Sequence, residues 1–146
     1  MSEVNGCRLP EELFYWPDKH VWARPEADGS VVVGMTDVAQ SLAGKIIVVS
    51  IRALGKTLAR GKSAGTVESG KWVGTVATPV AGKVVAINET LKGSPTIINQ
   101  DPYGAGWLVR VEPSDWEADR QQLATGADGI AQYREKLERE GISCHQ

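Results

Sequence analysis

The sequence predicts a mostly β protein, an antiparallel sandwich or flattened barrel with a few short helices. Two observations support this prediction. Short runs rich in β-branched residues recur between residues 21 and 111, and such runs favour strands. Gly, Pro, Asn and Ser separate the runs at intervals of roughly ten residues, a spacing typical of antiparallel sandwiches. The chain has 146 residues, which suits one domain with its own core better than two.

The first clear strand follows an Asp-Gly turn at Asp28 and Gly29, because glycine tolerates the backbone of a tight turn. Each later run is bounded by turn residues in the same way. The predicted strands cover residues 29–35, 45–51, 65–68, 76–80, 82–88 and 106–112.

A short helix is predicted between the first two of these strands. Thr36 or Asp37 can cap it, Val38, Ala39 and Leu42 fall on one face, and Gly44 can end it. Residues 88–106 are dense in turn residues, so we expect a loop-rich connection there.

After Pro113 the pattern becomes helical. Ser114 or Asp115 can cap a helix, with Glu117 at capping-box spacing from Ser114, and Gly126 is expected to interrupt it. Three apolar residues then share one helical face before Gly141 stops the helix: Ile130, Tyr133 and Leu137. We expect residues 114–140 to pack one face on the sheet; a charged arm for a partner is the alternative. One domain then spans residues 1–146, with its core at about 13–116.

Composition and charge exclude several classes of protein. The net charge is -2 with acids and bases interspersed, which lacks the basic footprint of a nucleic-acid binder. No apolar run is long enough for a membrane helix, and the first residues lack the pattern of a secretory signal. We therefore expect a cytoplasmic protein with no nucleic-acid or membrane partner and no metal site.

The two cysteines, Cys7 and Cys144, lie near opposite ends of the chain. In the cytoplasm this favours two free, reduced thiols on the termini. A terminus-to-terminus disulfide or a redox role is the alternative.

The stretch GTVESGKW, residues 65–72, has the spacing of a phosphate-binding loop, with Gly65, Gly70 and Lys71 at the motif positions. Trp72, however, stands where the motif needs Ser or Thr to meet magnesium. The residues that follow are β-branched and broken by a proline, so they cannot supply the helix that receives the phosphates. Glu68 would also repel phosphate. We therefore reject a nucleotide site.

The same stretch is better explained as a β-hairpin. Ser69 and Gly70 are expected to supply the turn, with Gly70 providing a positive φ. Lys71 then lies at the tip beside Glu68. Taken alone, such a lysine is most simply a solvated residue on a loop.

Four motifs change that interpretation through their joint order and spacing. FYWPDKHVWAR holds a Tyr, a His and a Trp close together, and VESGK has the form Glu-Ser-x-Lys. Pro79 follows Lys71 by eight residues, and PYGAGW occurs late in the chain. Over about residues 13–116, this order resembles the H-protein of the glycine cleavage system and its lipoate-carrying relatives. The first motif contributes Tyr15, His20 and Trp22.

The resemblance implies a hammerhead-like β-sandwich of the lipoyl/biotinyl type, and a carrier rather than an enzyme. It implies lipoic acid in amide linkage to Lys71, attached by a lipoyl-transferring enzyme. Glu68, Ser69, Gly70 and Trp72 are the implied recognition positions of the hairpin, with turn solvation as the alternative for Glu68 and Ser69.

The chain departs from the family pattern at the hairpin and in its charge. Gly70 stands where the family usually has Val, and Trp72 replaces a small residue. An indole beside the attachment site and a changed charge pattern alter which partners dock. The residues leading to Lys71 are basic rather than acidic, with Lys45, Arg52, Lys56, Arg60 and Lys62.

These departures resemble the specialised lipoate-binding proteins of cytoplasmic sulfur oxidation. That resemblance implies a heterodisulfide-reductase-like complex and dihydrolipoyl dehydrogenase as partners. The alternative is an H-protein that carries the aminomethyl group between glycine decarboxylase and aminomethyltransferase. A non-lipoylated structural or relay protein of the same fold is a third interpretation. Cys7 and Cys144 are expected not to be essential for lipoylation.

Overall fold

The computed structural model describes residues 2–144 and contains a seven-stranded sheet, a three-stranded sheet and a short hairpin. This architecture, with its short helices, confirms the mostly β prediction. The strands are β1 (Ser2–Val4), β2 (Cys7–Leu9), β3 (Phe14–Trp16), β4 (Val21–Pro25), β5 (Val31–Met35), β6 (Ile46–Ile51), β7 (Thr57–Leu58), β8 (Ser63–Ser69), β9 (Val73–Ala77), β10 (Gly82–Ile87), β11 (Val109–Pro113) and β12 (Ala124–Thr125). The helices are α1 (Asp37–Ala43), α2 (Thr90–Gly93), α3 (Ile97–Gln100), α4 (Trp116–Arg120) and α5 (Gly126–Glu140), and a 3-10 turn covers Pro17–Lys19.

The two larger sheets share one apolar core. The seven-stranded sheet has the order β12-β3-β4-β5-β11-β10-β7, and the smaller sheet has the order β6-β8-β9. All pairings in these two sheets are antiparallel. In the smaller sheet one side faces the core and the other faces solvent, whereas β5 of the larger sheet is buried on both sides. Val33 and Val109 enter the core from the larger sheet, and Ile46, Val67 and Val76 from the smaller one.

A second core joins the chain ends to the seven-stranded sheet. The predicted apolar face of α5 is buried there, and Tyr133 and Leu137 are fully buried. They pack in one cluster with Leu9 of β2 and with Tyr15 and Trp22 of the sheet. The C-terminal helix therefore packs on the sheet as predicted, and it is not a free charged arm.

The two chain ends are tied together at the β1–β2 hairpin. Asn5 and Gly6 form its turn with positive φ, the backbone that an Asn-Gly hairpin favours. The Cys144 N–H donates to the Asn5 carbonyl at 2.9 Å, and Cys7 and Cys144 form a disulfide. The expectation of two free thiols is therefore wrong. The alternative, a terminus-to-terminus disulfide, is what the structure contains.

The short helix α1 begins and ends where the sequence predicts. The Thr36 hydroxyl accepts a hydrogen bond from the Ala39 N–H at 3.2 Å, which satisfies an otherwise unpaired donor of the first turn. Gly44 ends the helix with φ of 82°, a backbone that glycine adopts without strain. Leu42 is 46% exposed rather than packed with Val38, so only part of the predicted apolar face is buried.

Several boundaries differ from the sequence-based predictions. The loop-rich connection contains α2 and α3. The cap of α4 is Asp115 rather than Ser114, because the Asp115 carboxylate accepts from the Ala118 N–H at 3.1 Å. Gly126 begins α5, and β12 before it pairs with β3. The predicted strand at 76–80 ends at Ala77. Strands of two or three residues were missed, because they are too short to show alternation.

Candidate functional site

Lys71 lies in the turn of the β8–β9 hairpin and is exposed. The Ser69 N–H donates to the Trp72 carbonyl at 2.8 Å, so Gly70 and Lys71 are the two loop residues. The Lys71 N–H donates to the Ser69 hydroxyl at 3.3 Å. The predicted hairpin is therefore present, but its loop lies one residue later than Ser69 and Gly70. The expected positive φ at Gly70 is wrong, because Gly70 is not among the residues with positive φ.

The Lys71 side chain runs along the turn between α1 and β6. A β-carbon on Gly44 would lie 3.1 Å from Lys71 Cε, tighter than an ordinary van der Waals contact, so any larger residue there would push the lysine away. A cavity of about 390 Å³ opens at this contact. It is lined by Ala43, Gly44, Lys45, Ile47, Ser69, Gly70 and Lys71.

The Asn99 side chain of α3 holds the turn between α1 and β6 in place by hydrogen bonds. Its side-chain amide donates to the Gly44 carbonyl at 2.8 Å, and its oxygen accepts from the Ile46 N–H at 2.9 Å. Both backbone groups lie at an end of an element, where no regular partner exists. One side chain therefore holds the end of α1 and the start of β6 against Lys71. Nothing in the local sequence marks Asn99 for this role, because its partners lie more than fifty residues away.

Trp72 forms the other side of the site. Its indole lies over Gly74, where an added β-carbon would fall within the ring. It is 39% exposed and borders a second cavity of about 200 Å³. Apolar side chains dominate the wall of this cavity, which contains no carboxylate. The lining is Lys19, His20, Val21, Met35, Ala39, Leu42, Trp72, Thr75 and Val76.

His20 is the ionisable group built most firmly into that wall. It has a left-handed backbone with φ of 55°, which is uncommon for a residue other than glycine. Its Nδ1 lies 2.6 Å from the Tyr133 hydroxyl, which is itself 2.9 Å from the Thr36 hydroxyl. Burial and, to a smaller extent, the nearby positive charge of Lys136 together lower the pKa of His20 to about 4. We therefore assign a neutral imidazole that accepts the Tyr133 proton at Nδ1.

The structure brings together the five hairpin residues that the sequence singled out. Glu68 is exposed on β8, and Ser69 is buried with its hydroxyl turned to the Lys71 backbone. The cysteines lie elsewhere, at the opposite end of α1, where Cys144 Sγ is 3.8 Å from the Asp37 carbonyl oxygen. Gly44, Asn99 and His20 were missed as parts of the site. Gly44 carried a local signal only as a helix stop, and His20 only as part of the FYWPDKHVWAR motif.

The described chain shows neither a metal cluster nor a membrane helix. Within residues 2–144 no three His, Cys, Asp or Glu side chains are grouped closely enough to hold a metal ion. No helix among these residues is both long enough and apolar enough to cross a membrane.

Comparison with known protein families gives a match over most of the chain. The family model described as glycine cleavage H-protein matches residues 14–139. A crystal structure of a glycine cleavage system H protein from Mycobacterium marinum superimposes with a TM-score of 0.72 at 32% sequence identity. That alignment covers 92% of this chain and 100% of the other.

Curated relatives extend the similarity to the chain ends. Glycine cleavage system H protein 2 of Aquifex aeolicus is 42% identical, over 99% of this chain and 89% of the relative. Probable glycine cleavage system H protein 2 of Saccharolobus solfataricus is 43% identical, over 99% and 98%. The glycine cleavage system H protein of Chromobacterium violaceum is 48% identical, but over 73% of this chain and 83% of its own length.

Proposed function

The chain belongs to the glycine cleavage H-protein family, whose members are lipoyl carriers and not enzymes, and from this premise we propose that Lys71 is the residue that carries lipoic acid. The observation behind this proposal is the place of Lys71 in a two-residue hairpin loop. A lysine there can be presented to a modifying enzyme without unfolding any element. Its sequence context, Glu-Ser-x-Lys, is that of the family hairpin.

The surroundings of Lys71 fit a long, flexible attached group. Its amine makes no ion pair within residues 2–144, and cavities lie on both sides of the loop. Amide formation would remove the lysine charge. When bound, the lipoyl group supplies a disulfide that opens to two thiols and can take up electrons or a carbon or sulfur group. The chain contributes position and shielding.

The hairpin residues have different roles in this proposal. Glu68 is exposed beside the loop and is available for recognition by the lipoyl-transferring enzyme. Ser69 is 8% exposed and bonds to the Lys71 backbone, so it shapes the loop rather than contacting the enzyme. Gly70 has open space where a side chain would be, and Trp72 walls the cavity next to the loop.

Lipoylation is tested by measuring intact mass after expression with the lipoyl-transferring enzyme of the same organism. We expect a gain of one lipoyl group in the wild type and no gain in Lys71→Arg, because the guanidinium is not acylated by this chemistry. Lys45→Arg is the matched control, since Lys45 lines the same cavity, and it should be modified fully. A lipoyl group on Lys71→Arg, or none on the wild type, would overturn the proposal.

We further propose that this carrier works in cytoplasmic sulfur oxidation, with a heterodisulfide-reductase-like complex and dihydrolipoyl dehydrogenase. The cavity beside Trp72 supports this proposal, because its apolar wall has no carboxylate to pair with a cationic group. An aminomethyl cargo is such a group, and burying an unpaired charge is costly. The numbering of relatives as H proteins 2, 3 and 5 in one organism also favours several distinct tasks within the family.

Glycine cleavage is the second candidate function, and the relatives' names favour it. In that role the carrier would take the aminomethyl group from glycine decarboxylase to aminomethyltransferase. The two candidates differ in the cargo that the site must accept, so they can be separated by one measurement.

That measurement supplies the lipoylated chain to glycine decarboxylase and aminomethyltransferase and follows glycine turnover. The lipoylated Chromobacterium violaceum H protein serves as the positive control. We expect the present chain to give at least about a hundredfold lower kcat/KM, equivalent to about 2.7 kcal/mol. Turnover equal to that of the control would refute the sulfur-oxidation role and leave the lipoylation of Lys71 intact.

A further inference from the structure

The outer face of the three-stranded sheet carries exposed side chains on all three strands. In one cross-strand row Glu68 lies between Val48 and Val73, and in the next row Thr66 lies between Ser50 and Thr75. All six side chains are exposed within the described residues. One side of this sheet is therefore built into the core, while the other side has no cover from residues 2–144.

Near Lys71, exposed apolar side chains surround the hairpin, and on the outer face Val48 and Val73 flank the Glu68 carboxylate. The structure exposes seven large hydrophobic side chains among the described residues. Five of them border the hairpin loop or its flanking strands. Val73 is the most exposed, at 68%, and a monomeric protein rarely clusters such residues without an interaction to cover them. The five are Leu42, Ile47, Val48, Trp72 and Val73.

The far end of the same face has a notch suited to a carboxylate. The notch has a volume of about 210 Å³. Its lining residues are Ser50, Ile51, Arg52, Ser63, Gly65 and Thr66. Arg52 Nε donates to the Ser63 carbonyl at 3.3 Å, which leaves the other guanidinium donors free. The hydroxyls of Ser50 and Thr66 make no hydrogen bond to another described residue. Guanidinium and hydroxyl donors together recognise carboxylates.

Arg52 belongs to a stretch of the chain that is rich in cations without an ion-pair partner, although these cations are spread along the fold: Lys45 borders the Lys71 cavity and Arg60 stacks on Trp16. Residues 38–67 contain five cations and no Asp or Glu. Eight ion pairs occur within residues 2–144, and none uses any of these five cations. Elsewhere in the chain acids outnumber bases, so the excess of positive charge is confined to this stretch. The five cations are Lys45, Arg52, Lys56, Arg60 and Lys62.

We propose that the outer face of the β6–β8–β9 sheet is the docking surface for the lipoyl-transferring enzyme. The enzyme places a carboxylate in the Arg52 notch, and an apolar rim of the enzyme surrounds the hairpin. This inference rests on the proposed lipoylation of Lys71. The proposal specifies two chemical features of the enzyme. The entrance to its active site is apolar, and acidic side chains lie about 20 Å from that entrance. This distance is the length of the seven-residue strand β8 at about 3.3 Å per residue.

Interface size explains why both ends of the face are used together. A specific interface buries about 800 Å² on each partner, a patch nearly 30 Å across. An enzyme that covers the hairpin loop and extends along the sheet therefore reaches Arg52. Charge at the far end steers encounter and sets orientation, while the apolar side chains around the hairpin exclude water from the reacting lysine.

The test measures the dissociation constant between the unmodified chain and the lipoyl-transferring enzyme of the same organism by isothermal titration calorimetry. Arg52→Glu is compared with Arg134→Glu, a reversal of an exposed cation on α5. We expect Arg52→Glu to weaken binding about tenfold and to flatten its salt dependence, because it removes a charge pair. Arg134→Glu should stay within about twofold of the wild type.

Arg52→Gln is a second variant, included because the charge reversal Arg52→Glu could disturb folding. It keeps a long polar side chain at this position but removes the charge. It should weaken binding less than Arg52→Glu but more than Arg134→Glu. Equal affinities and salt slopes for Arg52→Glu and Arg134→Glu would overturn the docking surface. Intact mass of the wild type is measured in parallel. Normal lipoylation with no Arg52 effect refutes only the docking surface, whereas absent lipoylation refutes the proposed function.

Discussion

His20 combines an uncommon backbone conformation with burial, and it lies in the wall of the proposed site. Its left-handed backbone is held by the stacked Tyr133 ring, at 5.7 Å between centroids, and by the hydroxyl contact at Nδ1. A non-glycine residue keeps such a backbone only where surrounding packing enforces it. Because His20 lines the cavity beside Trp72, the packing of α5 through Tyr133 sets the shape of that cavity.

We predict that His20 makes folding pH-dependent in mildly acidic solution. Its pKa is about 4 in the folded chain, below the ordinary 6.5, so the unfolded state takes up the proton first as pH falls. The free energy of unfolding should therefore be largest above pH 6.5 and decline between pH 6.5 and 4. At about 1.4 kcal/mol per pKa unit, the difference between 6.5 and about 4 limits the loss to about 3.5 kcal/mol.

Urea denaturation at pH 7, 6, 5 and 4 measures this decline. His20→Asn is the matched control, because Asn tolerates a left-handed backbone but does not titrate in this range. In this variant the free energy of unfolding should change less steeply with pH, because only the other titrating groups contribute. Identical slopes for the wild type and His20→Asn would show that His20 does not cause the pH dependence.

At the scale of elements, α1 connects the tied chain ends to the Lys71 site. At its start, the buried Asp37 carboxylate accepts the Arg8 N–H at 2.8 Å, and Cys144 Sγ lies near the Asp37 carbonyl. At its end, Gly44 meets the Lys71 side chain. The helix has seven residues, so it spans about 10 Å at 1.5 Å per residue. Anchoring at both ends compensates for a length that is too short to be stable alone.

The disulfide is predicted to stabilise the fold without being needed for modification. It joins residues 137 positions apart, and closing a loop of that length stabilises a fold by about 2–5 kcal/mol. We expect the double substitution Cys7→Ser, Cys144→Ser to lower the free energy of unfolding by that amount in guanidinium denaturation. Lipoylation of Lys71 should remain complete by intact mass, because the cysteines lie at the far end of α1.

Reductant provides the control for this prediction. The wild type with a dithiol reductant should fall to the stability of the double variant, while the variant should not respond. Both cysteines are buried, with Cys7 at 0% and Cys144 at 7% exposure, so reduction of the disulfide is expected to be slow. Unchanged stability, or failure of the double variant to be lipoylated, would show that the cysteines have a different role.

At the scale of the whole molecule, two apolar cores lie on opposite sides of the seven-stranded sheet. The main core supports the smaller sheet that presents Lys71, and the second core fixes α5 and the chain ends. Met35 and Val76 of the first core line the cavity beside Trp72. His20 also lines it, and its Nδ1 contacts the hydroxyl of Tyr133, which belongs to the second core. The Lys71 hairpin is exposed, yet its surroundings depend on the packing of the entire chain.

Much of the candidate site could be predicted from residues 65–72 alone. A glycine-containing turn between two β-branched runs specifies a hairpin, because turn geometry and strand preference act over a few residues. The position of the loop within that hairpin was off by one, since Ser69 pairs with Trp72 through a backbone bond that the residue types do not specify. The strands β1, β3 and β12 were missed because their pairing, not their composition, makes them strands.

The sequence by itself determined the mostly β class, the capped helix α1 and a lysine at a hairpin tip. Tertiary structure alone decided that Cys7 meets Cys144, that Asn99 holds the Gly44 turn against Lys71, and that Tyr133 of α5 contacts His20. The physical reason is the range of the interactions. Turns, caps and strand preferences depend on neighbours in the chain, whereas these contacts join residues between 55 and 137 positions apart. Their formation depends on how the sheets and helices pack, which local sequence does not encode.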